Sequence, residues 1–180
     1  MTSPLPGDFC LTKISGVTGR LVAAGQALIG DAAPVQHAFV YVGGGRIVQA
    51  MPGGAELIKL DDASVPIVWS SGHFALTSVQ RVTIAGEALS LVGTPYSYLD
   101  YASLGLAHFR VRPAWVRDYV ASTGHLICSQ LVDEVYLRAG VHLFDDGRLP
   151  GDVTPGDLYK LLHPKRVTST DRELRRLAYG

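Results

Sequence analysis

Residues 38–50 constrain the fold more than any other stretch of the chain. Residues 38–42 read Ala-Phe-Val-Tyr-Val, Gly43-Gly44-Gly45 follows, and residues 46–50 resume as Arg-Ile-Val-Gln-Ala. β-Branched and aromatic side chains suit a pleated, extended backbone, and consecutive glycines accept the positive φ angles of a tight reversal. The segment is predicted to be a β-hairpin. An isolated hairpin is barely stable, so other elements must cover it. Residues 9–14, 56–60, 65–69 and 76–82 are further strand candidates. Residues 127–139 carry Leu131, Val132, Val135 and Ala139 at helical spacing, with Arg138 in the last turn and Gly140 placed to end the helix. Residues 16–28 and 85–92 also have helical spacing, the latter closing at Gly93 before Pro95. Residues 156–162 suit a short helix or turn, and residues 96–120 suit a loop with short helical turns. Early strands and one strong late helix do not alternate as β-α-β units. The expected class is therefore α+β, an antiparallel sheet packed against helices.

The chain's 180 residues suit one domain over 1–180 with a basic, polar tail from 165 to 180. Hydrophobic residues make up 47% and charged residues 18%, enough to bury a core without metals or disulfide staples. Sixteen acidic residues balance sixteen basic ones, so net charge directs the chain neither to nucleic acid nor to an anionic membrane. Two cysteines exclude a disulfide-rich scaffold. The first eight residues, Met-Thr-Ser-Pro-Leu-Pro-Gly-Asp, lack a basic region followed by an apolar one, so no signal peptide is expected. The apolar run 21–30 is too short to span a bilayer and carries Gln26. The expected location is the cytoplasm, from which phage lysis would also release a protein.

Cys128 falls in the first turn of the best predicted helix. A helix start carries partial positive charge and unpaired N–H groups, which favour a thiolate and can bind an oxyanion. By position alone, a buried structural cysteine is the favoured reading, since free cysteine is among the most buried residue types. His37 precedes the first hairpin strand, where it is a candidate base or an ordinary polar residue at a strand start. Gln49 lies on the returning strand. If residues 43–45 form a three-residue turn, Val42 pairs with Arg46 and His37 with Met51. Gln49 is then a diagonal neighbour of His37 on the same face, about 7–8 Å away at Cα. A two-residue turn would put Gln49 on the opposite face. Tyr96, in Gly93-Thr94-Pro95-Tyr96, is either a phenol aimed at the site or a core aromatic. His125 is a second candidate base by its nearness in sequence to Cys128. Cys10 has no helix start and no adjacent base, so it reads as a packed strand residue. The histidines show no ligand-like spacing, Gly43-Gly44-Gly45 lacks the lysine of a phosphate loop, and Asp145, Asp146 and Asp152 lack calcium-loop spacing.

The order of these pieces is more specific than any one of them. Gly7-Asp8 comes first, then His37-Ala38-Phe39-Val40-Tyr41-Val42-Gly43 and Ile47-Val48-Gln49-Ala50. Gly93-Thr94-Pro95-Tyr96, Ile127-Cys128-Ser129-Gln130-Leu131-Val132 and Thr154-Pro155-Gly156-Asp157-Leu158 follow. From about Gly7 to Leu162 the chain resembles the circularly permuted branch of the NlpC-type papain-like superfamily, in which the histidine precedes the cysteine. That branch holds bacterial cell-wall amidases and peptidases and relatives of lecithin–retinol acyltransferase. The resemblance implies a permuted papain-like fold with the nucleophile at a helix N-terminus. It also implies that Cys128 attacks a carbonyl, His37 serves as base and then acid, Gln49 orients His37, and Tyr96 assists the oxyanion. Gln49 departs from the pattern, since relatives often place His, Glu or Asn there. A neutral amide does not stabilise an imidazolium as a carboxylate would, although papain-like enzymes work with Asn.

The expected activity is hydrolysis of an amide through an acyl-enzyme, on a peptide or peptidoglycan fragment, without a metal or organic cofactor. One alternative is a lipid acyl hydrolase or acyltransferase that uses the same pair, with residues 96–115 as an acyl pocket. The other is a non-catalytic binding module on the same fold.

Overall fold

A computed structural model of the chain describes residues 3–14, 23, 33–51, 53–95, 128–148 and 150–164. The predicted hairpin is present as β2 (His37–Gly43) and β3 (Arg46–Met51). It is joined by β1 (Phe9–Thr12), β4 (Gly54–Lys59) and β5 (Pro66–Trp69). The sheet runs β4-β3-β2-β1-β5 with every neighbouring pair antiparallel. Among the described residues three α-helices of more than one turn accompany it: α1 (Ser78–Ser90), α2 (Cys128–Arg138) and α3 (Pro155–Leu162). The class is α+β, as the sequence pattern predicts. No helix among the described residues is long and apolar enough to cross a membrane.

The hairpin tip differs from the three-residue turn considered above. Gly43 pairs with Arg46, so the reversal has two residues, Gly44 and Gly45, both at positive φ (59° and 68°). Two positive φ angles in a two-residue loop match the twist of the flanking strands, and glycine adopts them without a Cβ clash. The register then shifts between Tyr41 and Gly43. This irregularity takes up the odd residue, so Phe39 lies opposite Gln49 and Val40 opposite Val48. The two-residue turn and the bulge together keep Gln49 on the face of His37.

Residues 76–82 are not a strand. Thr77 caps α1, accepting from the Gln80 N–H, while the Gln80 side chain accepts from the Thr77 N–H. This capping box satisfies two of the helix's orphan donors and starts the helix seven residues before the predicted residue 85. The buried side of α1 holds only Ile84, Ala85 and Ala88, whereas Val79 and Val82 are 76% and 71% exposed. Solvent-facing valines at the helix start conceal the helical period and imitate a strand. The expected 16–28 helix lies outside the described residues, apart from residue 23. The tail from 165 and the whole of the 96–120 segment lie outside them.

Alternation along the strands divides the core in two. Phe9, Leu11, Ala38, Val40, Val48 and Ala50 face the helices and pack with Ile84, Leu131, Val135 and Leu158. Cys10, Phe39 and Ile47 form the opposite cluster with Trp69 and Tyr41. Each fully buried aliphatic or aromatic side chain contributes about 1.5–3 kcal/mol. Tyr136 of α2 stands edge-on to both Phe9 and Phe74, with ring centroids 5.7 and 5.9 Å away. Its hydroxyl donates to the Gly7 carbonyl at 2.6 Å.

Asp8, buried beside Gly7, accepts from Arg81 of α1 at 2.8 Å, from the Ser71 hydroxyl at 2.6 Å and from the Leu5 N–H at 2.9 Å. A Cβ on Gly7 (φ +87°) would lie 3.1 Å from the Arg81 Cα, so α1 approaches where only glycine leaves room. The Gly7-Asp8 pair thus joins the N-terminal segment to both α1 and α2.

A second buried carboxylate sits on α2. Burial pushes the pKa of Asp133 up to about 6; Glu134 adds to the effect, while Arg148 and His142 oppose it. Its folded pKa exceeds that of the unfolded chain, so the folded protein holds the proton more tightly. That contribution is fully present below the ordinary carboxylate range and is lost as pH rises through about 6. Asp133→Asn, neutral at every pH, is expected to raise stability by on the order of 2 kcal/mol at pH 8 and to change it little at pH 4. Urea unfolding at the two pH values checks this, and an equal gain at both would refute the charge-burial account.

Candidate functional site

Cys128, His37 and Gln49 come together at the end of the sheet where β2 begins. His37 is the first residue of β2 and is 2% exposed. Gln49 opposes Phe39, two residues along from His37, which makes it a diagonal neighbour on the same face. His37 Nε2 and Gln49 Oε1 are 2.9 Å apart. Glu56 of β4 lies directly opposite Gln49, and its Oε1 accepts from Gln49 Nε2 at 2.8 Å. Cys128 is the first described residue of α2, is buried, and is hydrogen-bonded through its side chain to His37. With Nε2 occupied by Gln49, Nδ1 is the ring nitrogen left for the thiol.

Burial pushes the pKa of His37 down, but other effects outweigh it. The charge on Cys128 and its hydrogen bond, the Gln49 bond and the charge of Glu56 all favour the imidazolium. The net direction is upward from the ordinary histidine value. A thiolate beside the ring would therefore favour its protonated form.

Two further buried polar residues lie beside this arrangement. Ser129, fully buried, donates to the Val153 carbonyl at 2.6 Å. The next residue along, Thr154, caps α3 in a capping box with Asp157. The start of α3 is thus tied to the residue beside Cys128. Thr12 of β1 lies directly opposite His37, and its hydroxyl is the one buried polar side-chain atom among the described residues that finds no hydrogen-bond partner.

Cys10 packs with Phe39 and Ile47 on the sheet face away from the helices. Burial pushes its thiol up to about 12, so it stays neutral. His73, His142 and His163 are exposed, and His163 stacks on Tyr159. Tyr96 and His125 lie outside the described residues. The chain before Tyr96 is nevertheless anchored near the site. The Ala55 N–H donates to the Thr94 carbonyl at 2.8 Å, and the Gly93 N–H donates to the Ala55 carbonyl at 2.7 Å. A Cβ on Gly54 (φ +115°) would sit 2.8 Å from the Thr94 oxygen, so only glycine allows this docking. No group of three His, Cys, Asp or Glu residues among the described residues could hold a metal ion.

Glu56, Ser129 and Thr12 were not singled out from sequence. Glu56 had a signal, since it is the cross-strand partner of Gln49 once the β3–β4 turn is placed. Ser129 and Thr12 had none, because their surroundings come from distant segments. Comparison of the chain with known protein families, curated proteins and solved structures finds no match.

Proposed function

We propose that the chain is a cysteine hydrolase of the circularly permuted papain-like kind, acting on an amide bond of a peptide or peptidoglycan fragment. The observation that carries this reading is the buried chain of contacts from Cys128 to His37 to Gln49. The order of His37 before Cys128, and a cysteine helix beside an antiparallel sheet, fit the permuted arrangement.

In this reading His37 takes the Cys128 proton and the thiolate attacks the amide carbonyl carbon. A C–S bond forms and the carbonyl oxygen becomes an oxyanion, with Tyr96 and the Cys128 N–H assigned as its donors. The C–N bond then breaks, and the imidazolium gives its proton to the departing amine. Water attacks the resulting thioester with His37 accepting its proton. The acid is released, and the proton returns to the thiol.

The test is the rate of Cys128 alkylation by iodoacetamide, followed by intact mass in a Cys10→Ser background. At neutral pH, Cys128 is expected to label faster than a free cysteine, with His37→Ala slowing it by at least about ten-fold. Slow labelling that ignores His37 would make Cys128 a structural residue and leave a binding module as the better reading.

A further inference from the structure

We propose that Glu56 is a positioning residue that sets the proton arrangement of His37 through Gln49. The inference rests on the thiol chemistry proposed above, but its geometry is separate.

An amide can present either end to a ring nitrogen, and the two choices have opposite consequences. With Oε1 toward the ring, Nε2 must donate, and Nδ1 keeps a lone pair for the thiol proton. With the NH2 group toward the ring, Nε2 must accept. In the neutral ring Nδ1 then carries the hydrogen and cannot act as a base. The site is largely shielded from water, with His37 and Gln49 only 2% and 7% exposed, so solvent has little part in the choice. Glu56 decides it. A carboxylate only accepts, so Gln49 turns its NH2 group to Glu56 at 2.8 Å and its oxygen to His37 at 2.9 Å. The β3–β4 register, with Gln49 opposite Glu56, makes this contact a direct cross-strand pair.

Glu56 also supplies the negative charge that Gln49 lacks. Among the described residues, the charged groups acting on the ring are Cys128 from α2 and Glu56 from β4. Glu56 is exposed, so solvent screens its charge, and its directional effect on the amide is the larger of the two. A neutral glutamine can therefore occupy the orienting position because a carboxylate stands behind it.

The test compares wild type, Glu56→Lys, Glu56→Asp and His37→Ala, each first checked for an unchanged melting transition. Lysine only donates, so Glu56→Lys should turn the amide round. The expected result is that Cys128 alkylation at neutral pH falls at least about ten-fold. Nitrogen-15 ring spectra should show the His37 proton moving from Nε2 to Nδ1, and the His37 midpoint should drop. Glu56→Asp keeps an acceptor-only group and should stay within about three-fold of wild type. If His37→Ala slows labelling while Glu56→Lys leaves both the rate and the ring spectrum unchanged, the role of Glu56 is overturned and the Cys128–His37 pair stands. If labelling ignores His37 as well, both readings fall.

Discussion

Cys128→Ala is expected to lower turnover of a peptide or muropeptide amide by at least about a thousand-fold, and adding His37→Ala should cost almost nothing further. The two groups act as a coupled pair. His37 is buried, which by itself disfavours its charged form, yet the neighbouring Cys128, with Gln49 and Glu56, pushes the other way, and the net direction is upward. The imidazolium is useful only while a thiolate stands beside it, and the thiolate forms readily only while the ring can take its proton. Removing either group leaves the other without its task, so the two losses should not add. Independent roles would instead give losses that multiply. The measurement is a double-variant cycle on kcat/KM, with urea unfolding of each variant to exclude global collapse. A Cys128→Ala protein that retains a tenth or so of wild-type activity would sink the nucleophile assignment.

Arg81→Ala is expected to be the most damaging single change to the charged framework, costing about 2–3 kcal/mol. Its guanidinium is 2.8 Å from Asp8, with side chains 18% and 2% exposed. The carboxylate is thus almost wholly removed from water, while the cation is partly wet and its charge partly screened. Taking away the cation leaves a buried charge held, among the described residues, by the Ser71 hydroxyl and the Leu5 N–H. Arg81 also donates to the Pro6 carbonyl at 3.2 Å, so two contacts between α1 and the N-terminal segment go together. A loss of this size lowers the melting temperature by about 5–10 °C in a chain of this length. Asp8→Asn in the Arg81→Ala background removes the stranded charge but keeps an acceptor, so it should recover part of the loss. Thermal unfolding of wild type, Arg81→Ala and the double variant checks both statements. A cost below about half a kcal/mol would mean that the pair behaves as an exposed one.

The parts of this protein that its sequence determined are those set by neighbouring residues. The Gly43-Gly44-Gly45 run specified a reversal, and the flanking apolar residues specified two strands. The spacing of Leu131, Val132 and Val135 specified the helix that carries Cys128. The order of His37 before Cys128 suggested the permuted arrangement. Local reading failed where solvent and core exchanged their usual residues, as with the exposed Val79 and Val82 that made the start of α1 resemble a strand. At the hairpin tip the turn has two residues rather than three, and the register shift between Tyr41 and Gly43 restores the pairing that a three-residue turn would have given.

Only the tertiary structure decided which side chains meet. Cys128 reaches His37 because α2 packs against β2 and β3, and Glu56 backs Gln49 because β4 pairs with β3 in one register. Asp8 finds Arg81 because Gly7 lets α1 come close. Propensity and periodicity act over a few residues, whereas these contacts join segments far apart in the chain. Their geometry follows from packing the whole core at once, and no local stretch of sequence contains it.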